Sequence, residues 1–382
     1  LKNKHLHIIS FDVPYPADYG GVIDVFHKIR HLHLQGIQIT LHCFKYGREE
    51  SEELKKYCDQ VYYYQRRTSK KKIIHKDPFI VITRDHPDLL ARLKMHDSPI
   101  LFEGLHSTFL LAHPELEKRK KIVRMHNIEH EYYRFLSQFE TSIFRKMYLL
   151  SESLKLASYE KILKHADLIF AISMLDTQVL QSKYGHTSFV SAFHQYDEVI
   201  TKTGLGNYSL YHGNLKVPEN EKAVLFLIDE VANQLEHQLI IAGQQASSSI
   251  RKKCKSKSNI LLIENPSEQE MQSLIQNAQV HLLPSFQQSG IKLKLLHALY
   301  CGRHVIVNKN MLSGTSLEKT CIQAESAKEF ASLANSYSKK EFKEELLEER
   351  KTILQSNYSN ASNAKKLISL VFQNDSSGER AH

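Results

Sequence analysis

Short apolar runs alternate with helical stretches from one end of this 382-residue chain to the other, and that rhythm is what most limits its fold. In the first half, His5–Ser10, Ile37–Phe44, Gln60–Tyr64, Ile100–Phe102, Lys121–Met125 and Leu168–Ile172 read as strands. A helix over Gly21–Leu34 follows the first of them, and one long helical stretch covers about Glu131–His165. The second half repeats the style, with strands at Tyr208–Tyr211, Gln238–Ala242, Ile260–Ile263 and Gln279–Leu283 and helices at Glu219–Asn233 and Ser267–Asn277. Apolar strands separated by helices fit parallel sheets covered on both faces, so the expected class is α/β.

The chain is too long for one comfortable core, and two domains are expected. The region His194–Asn207, which has Gly204 and Gly206 but few apolar residues, is the best boundary. It gives domains at 1–198 and 199–355. A terminal segment, 356–382, contains the amphipathic stretch Asn360–Phe372, is expected to return to the first domain, and ends in a polar tail.

Composition narrows the classes of function. No apolar run approaches the ~18–20 residues of a membrane span, and the apolar run near the N-terminus is too short for a signal peptide. The five cysteines are odd in number, widely spaced and without a C-x-x-C pair. That pattern argues against a disulfide framework or a zinc site and for a reducing compartment. The formal charge of +9, with 22 histidines besides, suits an anionic partner without choosing among nucleotide phosphates, nucleic acid and an anionic membrane face.

Open parallel sheets bind ligands beyond the carboxyl ends of their strands, so the loops there hold the candidates. Ser289–Asn308 reads as loop, basic helix start, Cys301-Gly302 stop and strand. Its free N–H groups, helix dipole and residues Ser289, Gly290, Lys292 and Lys294 make an anion site. Asp12–Gly21 follows the first strand; Gly20 and Gly21 permit close approach to a ligand, although an ordinary strand-to-helix turn fits equally. Glu103-Gly-Leu-His106 offers a histidine for a sugar hydroxyl or a proton relay. Arg124–Tyr133 gathers His126, Asn127, Glu129 and His130, but not at the spacing of a helical H-E-x-x-H. An acid-rich helix start, stabilised by the dipole, explains it as well. Gly213 and Asn214 follow one strand of the second half, and Gly243 follows another.

The run Gln65–Lys76 contains Arg66, Arg67, Lys70, Lys71, Lys72 and Lys76. It suits an anionic membrane or acceptor, and a solvated loop fits the same composition. Nucleic acid is not expected, since aromatic interleaving is limited to Tyr62–Tyr64. The D-x-D, P-loop, G-x-G-x-x-G and G-x-S-x-G patterns are absent, against metal-clamp glycosyltransferases, NTPases, dinucleotide enzymes and α/β-hydrolases.

Taken in order, these segments resemble the family-four glycosyltransferases of the GT-B fold. PYPADYGGVIDVFHKIRHLHLQG is similar to the family's glycine loop and helix, FEGLH to its histidine segment, and MHNIEHEYY to its HN-E segment. HADLIFAIS, YHGNL and LLPSFQQSGIKLKLLHALYCGRHVIV continue the match. The resemblance implies two Rossmann-like domains facing an interdomain cleft. It also implies transfer of a sugar from a nucleotide-sugar co-substrate to a glycan or lipid-linked acceptor, with retention, no cofactor and no metal. It makes His106 and Lys294 the catalytic candidates. Gly20, Gly21, Gly213, Asn214, Gly243, Ser289, Gly290, Lys292, Lys294 and His297 fall on the donor side. Tyr19, Glu103, His126, Asn127 and Glu129 fall on the acceptor side. A cytoplasmic protein, peripheral at the inner membrane face through Arg66–Lys76, goes with that reading. Two departures stand out: Ser289 and His297 occupy the places of the family's paired glutamates, and Asn214 replaces its arginine. A weak or inactive GT-B protein acting as a scaffold in polysaccharide assembly therefore remains the alternative, with a nucleotide-sugar epimerase as a third reading.

Overall fold

A computed structural model describes residues 4–287, 290 and 292–373. They form two compact units. The first comprises the chain up to Arg134, Ser142–Gln195 and the segment from Asn357 onward; the second comprises Phe135–Thr141 and Tyr196–Ser356.

The first unit is built on β1 (His5–Ser10), β2 (Gln38–Lys45), β3 (Gln60–Gln65), β4 (Ile100–Glu103), β5 (Lys121–Met125), β6 (Leu168–Ala171) and β7 (Thr187–Phe189). They lie in the order β3-β2-β1-β4-β5-β6-β7, and every neighbouring pair is parallel. Side chains alternate across the sheet. On β1, Leu6 and Ile8 enter one core with Val25 and Ile29 of the Gly20–Leu34 helix. Ile9 enters the opposite core with Phe102, Val123 and Leu156. The terminal helix Asn360–Phe372 contributes Ala364, Leu367, Ile368 and Val371 to the first of these cores.

The second unit has β8 (Ser209–His212), β9 (Leu239–Gly243), β10 (Ile260–Glu264), β11 (Val280–Leu283), β12 (His304–Val307) and β13 (Ile322–Gln323). Their order is β10-β9-β8-β11-β12-β13, again all parallel. In each sheet the winding reverses once: between β1 and β4 in the first and between β8 and β11 in the second. A crevice opens beyond the carboxyl ends at such a switch point.

Two helical expectations need correction. The stretch from Glu131 to His165 is not one helix. It divides into Glu129–Phe139, Ile143–Tyr159 and a 3₁₀ turn over Glu160–His165, with Ser142 in extended backbone as N-cap. Thr141-Ser142 are the residue types whose side chains favour caps over helix interiors. Likewise, the helix expected to reach Asn233 is α-helical only over Pro218–Phe226, then becomes a π turn and a 3₁₀ turn. The edge strands β7 and β13 are too short, at three and two residues, to stand out as apolar runs.

Candidate functional site

In the first unit the switch point falls between the loop after β1 and the turn after β4. The β1 loop enters the Gly20–Leu34 helix through Tyr19, an extended N-cap. A Cβ on Gly21 would lie 2.7 Å from the Phe11 ring, so glycine here lets the helix start close over that ring. Arg48 braces the loop, with Nη1 on Asp18 Oδ1 at 2.8 Å and Nε donating to the Val13 carbonyl at 2.8 Å. The Tyr19 hydroxyl donates to Asp12 Oδ2 at 3.0 Å.

After β4 the chain turns at Gly104, whose φ of 66° favours glycine, into a 3₁₀ turn carrying His106. The His106 ring lies 5.4 Å from that of Phe11, and its Nδ1 is 3.9 Å from Glu129 Oε1. Neither atom has a hydrogen-bond partner among the described residues. Burial, then the charge of Arg84, holds the His106 imidazole well below its usual range, so it is neutral at neutral pH. Burial raises Glu129 to about 8, against the pull of Arg84 and a hydrogen bond from Asn127. A neutral imidazole thus faces a largely protonated carboxyl. Arg84 is fixed behind them by donating to the carbonyls of Phe11, at 3.0 Å, and Ile80.

Glu103 and His126, expected on the acceptor side, are both buried. Parallel pairing sets Glu103 beside Arg124, and both side chains enter a buried charge network. Lys28 Nζ lies 2.7 Å from Glu103 Oε1 and 3.2 Å from Asp24 Oδ2. Arg124 donates to both Asp24 oxygens at 2.7 Å, and His126 Nε2 is 3.1 Å from Glu103 Oε2. Burial alone would raise Asp24, but Arg124 and Lys28 more than offset it and hold the carboxyl below its usual range. Asp24, Glu103 and His126 could offer ligand atoms to a metal within 4.8 Å of one another. Lys28 and Arg124 already supply two positive charges to the two carboxylates, so this set does not fit an added divalent ion.

In the second unit, β8 ends in His212 and Gly213, and β9 in Gly243. A Cβ on Gly243 would lie 1.9 Å from the Gly213 carbonyl oxygen. The close approach that Gly243 allows is therefore to backbone. Asn214 holds its own turn, its Oδ1 accepting from Lys216 N at 3.1 Å. Across the switch point, Lys292 is the N-cap of the Leu293–Cys301 helix and donates to the Gly290 carbonyl at 3.2 Å. Ser289 lies outside the described residues, as do Gln288 and Ile291.

Lys294 Nζ donates to Asn220 Oδ1 at 2.7 Å and to the Tyr211 hydroxyl at 3.1 Å. Burial lowers its pKa to about 8 despite the opposing charge of Glu219. His297 stacks on His212 at 6.4 Å with the rings 5° from parallel, and meets Tyr196 edge-on at 5.5 Å. His212 in turn meets His281 edge-on at 5.7 Å. Burial keeps His212 far below its usual range and His281 at about 3.

Several supporting residues escaped the sequence reading. Ser285 donates to Glu219 at 2.6 Å, and its backbone is clasped by Asn308 at 2.9 and 2.7 Å. Arg84, Arg48 and Asp24 belong with them. Each lies far along the chain from the loop it supports, and no local motif marks it.

Two such Rossmann-like units share the GT-B fold of solved glycosyltransferases. Residues 206–337, within the second unit, match the family described as "Glycosyl transferases group 1". The chain is also 28% identical over 315 residues to an "uncharacterized 44.6 kDa protein in cps region" of Klebsiella pneumoniae, covering 76% of this chain and 79% of that one. Two solved structures share the fold. WaaG, a glycosyltransferase involved in lipopolysaccharide biosynthesis, matches with TM-score 0.63 at 11% identity over 97% of this chain and 100% of its own. HepE of Anabaena, in complex with UDP and glucose, matches with TM-score 0.59 at 13% identity over 97% and 96%.

Proposed function

We propose that this protein transfers a glycosyl group from a nucleotide sugar to a glycan or lipid-linked acceptor during polysaccharide assembly, in the cytoplasm. The observation that carries the reading is the switch point of the second unit. There a half-buried lysine, a glycine turn and a helix N-terminus meet within the stretch that matches the glycosyltransferase family. The cps-region relative supports polysaccharide as the context, and a fold neighbour holds UDP and glucose.

In the proposed reaction the bond between the anomeric carbon and the diphosphate oxygen breaks. A bond to the acceptor hydroxyl oxygen forms on the same face of the sugar, giving retention, and the hydroxyl proton passes to the leaving diphosphate. Negative charge grows on that diphosphate. Lys294, Lys292 and the N–H groups opening the Leu293–Cys301 helix would stabilise it, a contribution of roughly 2.7–4 kcal/mol for one well-aimed donor. No metal is required in this scheme. His106, neutral and beside a protonated Glu129, orients sugar hydroxyls rather than acting as a base.

The scaffold reading is favoured by one observation. His297, in the place of a family glutamate, packs between His212 and Tyr196 as part of an aromatic stack. Thermal-shift measurements with UDP, GDP, ADP and CMP sugars test between the two. Transfer requires at least one donor to raise the melting temperature and Lys294→Ala to abolish that shift. If no donor stabilises the protein, the scaffold reading replaces transfer.

A further inference from the structure

The helix Ile143–Tyr159 is amphipathic in the wrong sense for a soluble surface. Its buried residues are Glu152, Ser153 and Leu156. Ile143, Met147, Leu150 and Leu154 follow one another at spacings of four, three and four, which puts them on one face, with Phe144 beside them. All five are exposed, Phe144 by 82% and Leu154 by 68%. The orientation is fixed by polar contacts on the inner side. Glu152 accepts from the Phe79 N–H at 2.7 Å, and Ser153 donates to the His130 carbonyl at 2.7 Å. Rotating the stripe inward would bury its apolar residues but would break both hydrogen bonds.

Lys155 ties this helix to a second exposed apolar element. Its Nζ donates to the Ile73 carbonyl at 2.6 Å, at the end of the 3₁₀ turn Lys70–Ile74. Ile74 there is 89% exposed. On these two elements the exposed charge is of one sign. Arg67, Lys70, Lys71 and Lys76 are exposed on this segment, and Arg145 and Lys146 on the helix. Residues 66–76 contain no acid, and the single acid of Ile143–Tyr159 is the buried Glu152.

From this we infer that this face of the first unit docks on the surface of an anionic phospholipid bilayer. The Ile143–Tyr159 stripe and Ile74 enter the headgroup boundary while the basic residues contact the headgroups. Charge selects this occupant. A second copy on a two-fold axis would set the same cations against themselves. Nucleic acid would answer the charge but leave Phe144, Leu154 and Ile74 in water. A bilayer with acidic headgroups meets both requirements, and a helix of this kind lies in the interface plane. No helix among the described residues is long and apolar enough to cross the membrane.

The test is flotation of the full chain with vesicles of phosphatidylglycerol and phosphatidylcholine, compared with phosphatidylcholine alone. No sugar donor is present, so the outcome is independent of whether the protein transfers sugar. Strong binding to the mixed vesicles and weak binding to the neutral ones is expected. The double variant Phe144→Ser/Met147→Ser should lose about tenfold or more in affinity, since two apolar side chains no longer leave water. Lys70→Gln and Lys71→Gln should each cost about fivefold, a loss that rising salt erases. All these positions are exposed, and unchanged circular dichroism will show the variants are folded. Absence of binding to the acidic vesicles, or binding indifferent to the Phe144→Ser/Met147→Ser change, overturns the inference. So does a solution dimer that Phe144→Ser converts to monomer without any vesicle binding by the parent chain.

Discussion

Both units bury polar side chains behind the strand ends at their switch points, and they do so by opposite means. In the first, acids and bases are matched: Asp24 and Glu103 against Lys28 and Arg124, with His126 at the margin. In the second, two bases donate to neutral partners, and the nearest acid, Glu219, is taken up by Ser285. Lys294 is held by a phenol and an amide, and His281 donates its Nε2 proton to the Ile275 carbonyl at 3.1 Å. A matched network stays charged across a wide pH range and acts as a brace between strands, helix and the segment at 190–193. Among these bases Lys294 alone is brought to about 8, and in the proposed reaction its charge would meet the incoming diphosphate. The contrast separates scaffold from receptive site more sharply than residue type does, since both regions are rich in histidine and lysine.

The contrast is broken most directly at Asp24. Its carboxylate accepts from Arg124, Lys28 and the Phe193 N–H, the last at 2.8 Å. Asp24→Asn leaves two buried cations short of a counter-charge, and stability should fall by about 3–5 kcal/mol in urea unfolding. A loss of surface-pair size, about 1 kcal/mol or less, would mean the network is not the brace described.

Glu129 sharpens the comparison, because its pKa is raised where those of Asp24 and Glu103 are held low. Burial lifts its carboxyl from an ordinary 4.5 to about 8. Between those values the folded chain holds a proton that the unfolded chain has shed. Stability therefore declines as pH climbs from about 4.5 to about 8, and the loss is complete above the folded value. Glu129→Gln cannot ionise. The variant should match the parent near pH 5 and exceed it at pH 9 by on the order of 2–4 kcal/mol. Melting curves across that range check the sign, and parallel curves for parent and variant would show that Glu129 is ordinarily ionised.

How much of this was legible beforehand follows a physical rule. The β–α rhythm was readable because parallel strands buried on both faces leave continuous apolar runs, as at His5–Ser10 and Lys121–Met125, whose limits the structure reproduces. The loops that flank the switch points were readable because they follow those runs. What was not legible is direction. Glu103 and His106 are three residues apart, yet Glu103 points into the core toward Lys28 while His106 stands beside Phe11. Gly243 looked like a space for ligand, and the space is filled by the Gly213 carbonyl. Arg84 carried no signal, because the loop carbonyl it holds, that of Phe11, is 73 residues away along the chain. The helix Ile143–Tyr159 was readable only as part of one long helical stretch, since periodicity gives a stripe but not the side it faces.

The smallest expected effect is also the most specific to the second unit. Lys294 stands at about 8 rather than its ordinary 10.5, because burial outweighs the attraction of Glu219. The folded chain therefore releases this proton before the unfolded chain does, and this residue's contribution to stability rises with pH between about 8 and 10.5. That sign is opposite to Glu129's. For ligand the direction reverses: a diphosphate favours the ammonium form, so above the free value binding must first take up a proton. Nucleotide affinity should be flat below pH 8 and fall by up to about tenfold per pH unit above it. In Lys294→Met the affinity should start lower and lose this dependence. Calorimetry in two buffers of different ionisation enthalpy reads the proton directly, with uptake near pH 8.5 in the parent and none from this site in the variant. Uptake that persists in Lys294→Met would move the receptive base elsewhere, with Lys292 at the cap of the same helix the next position to change.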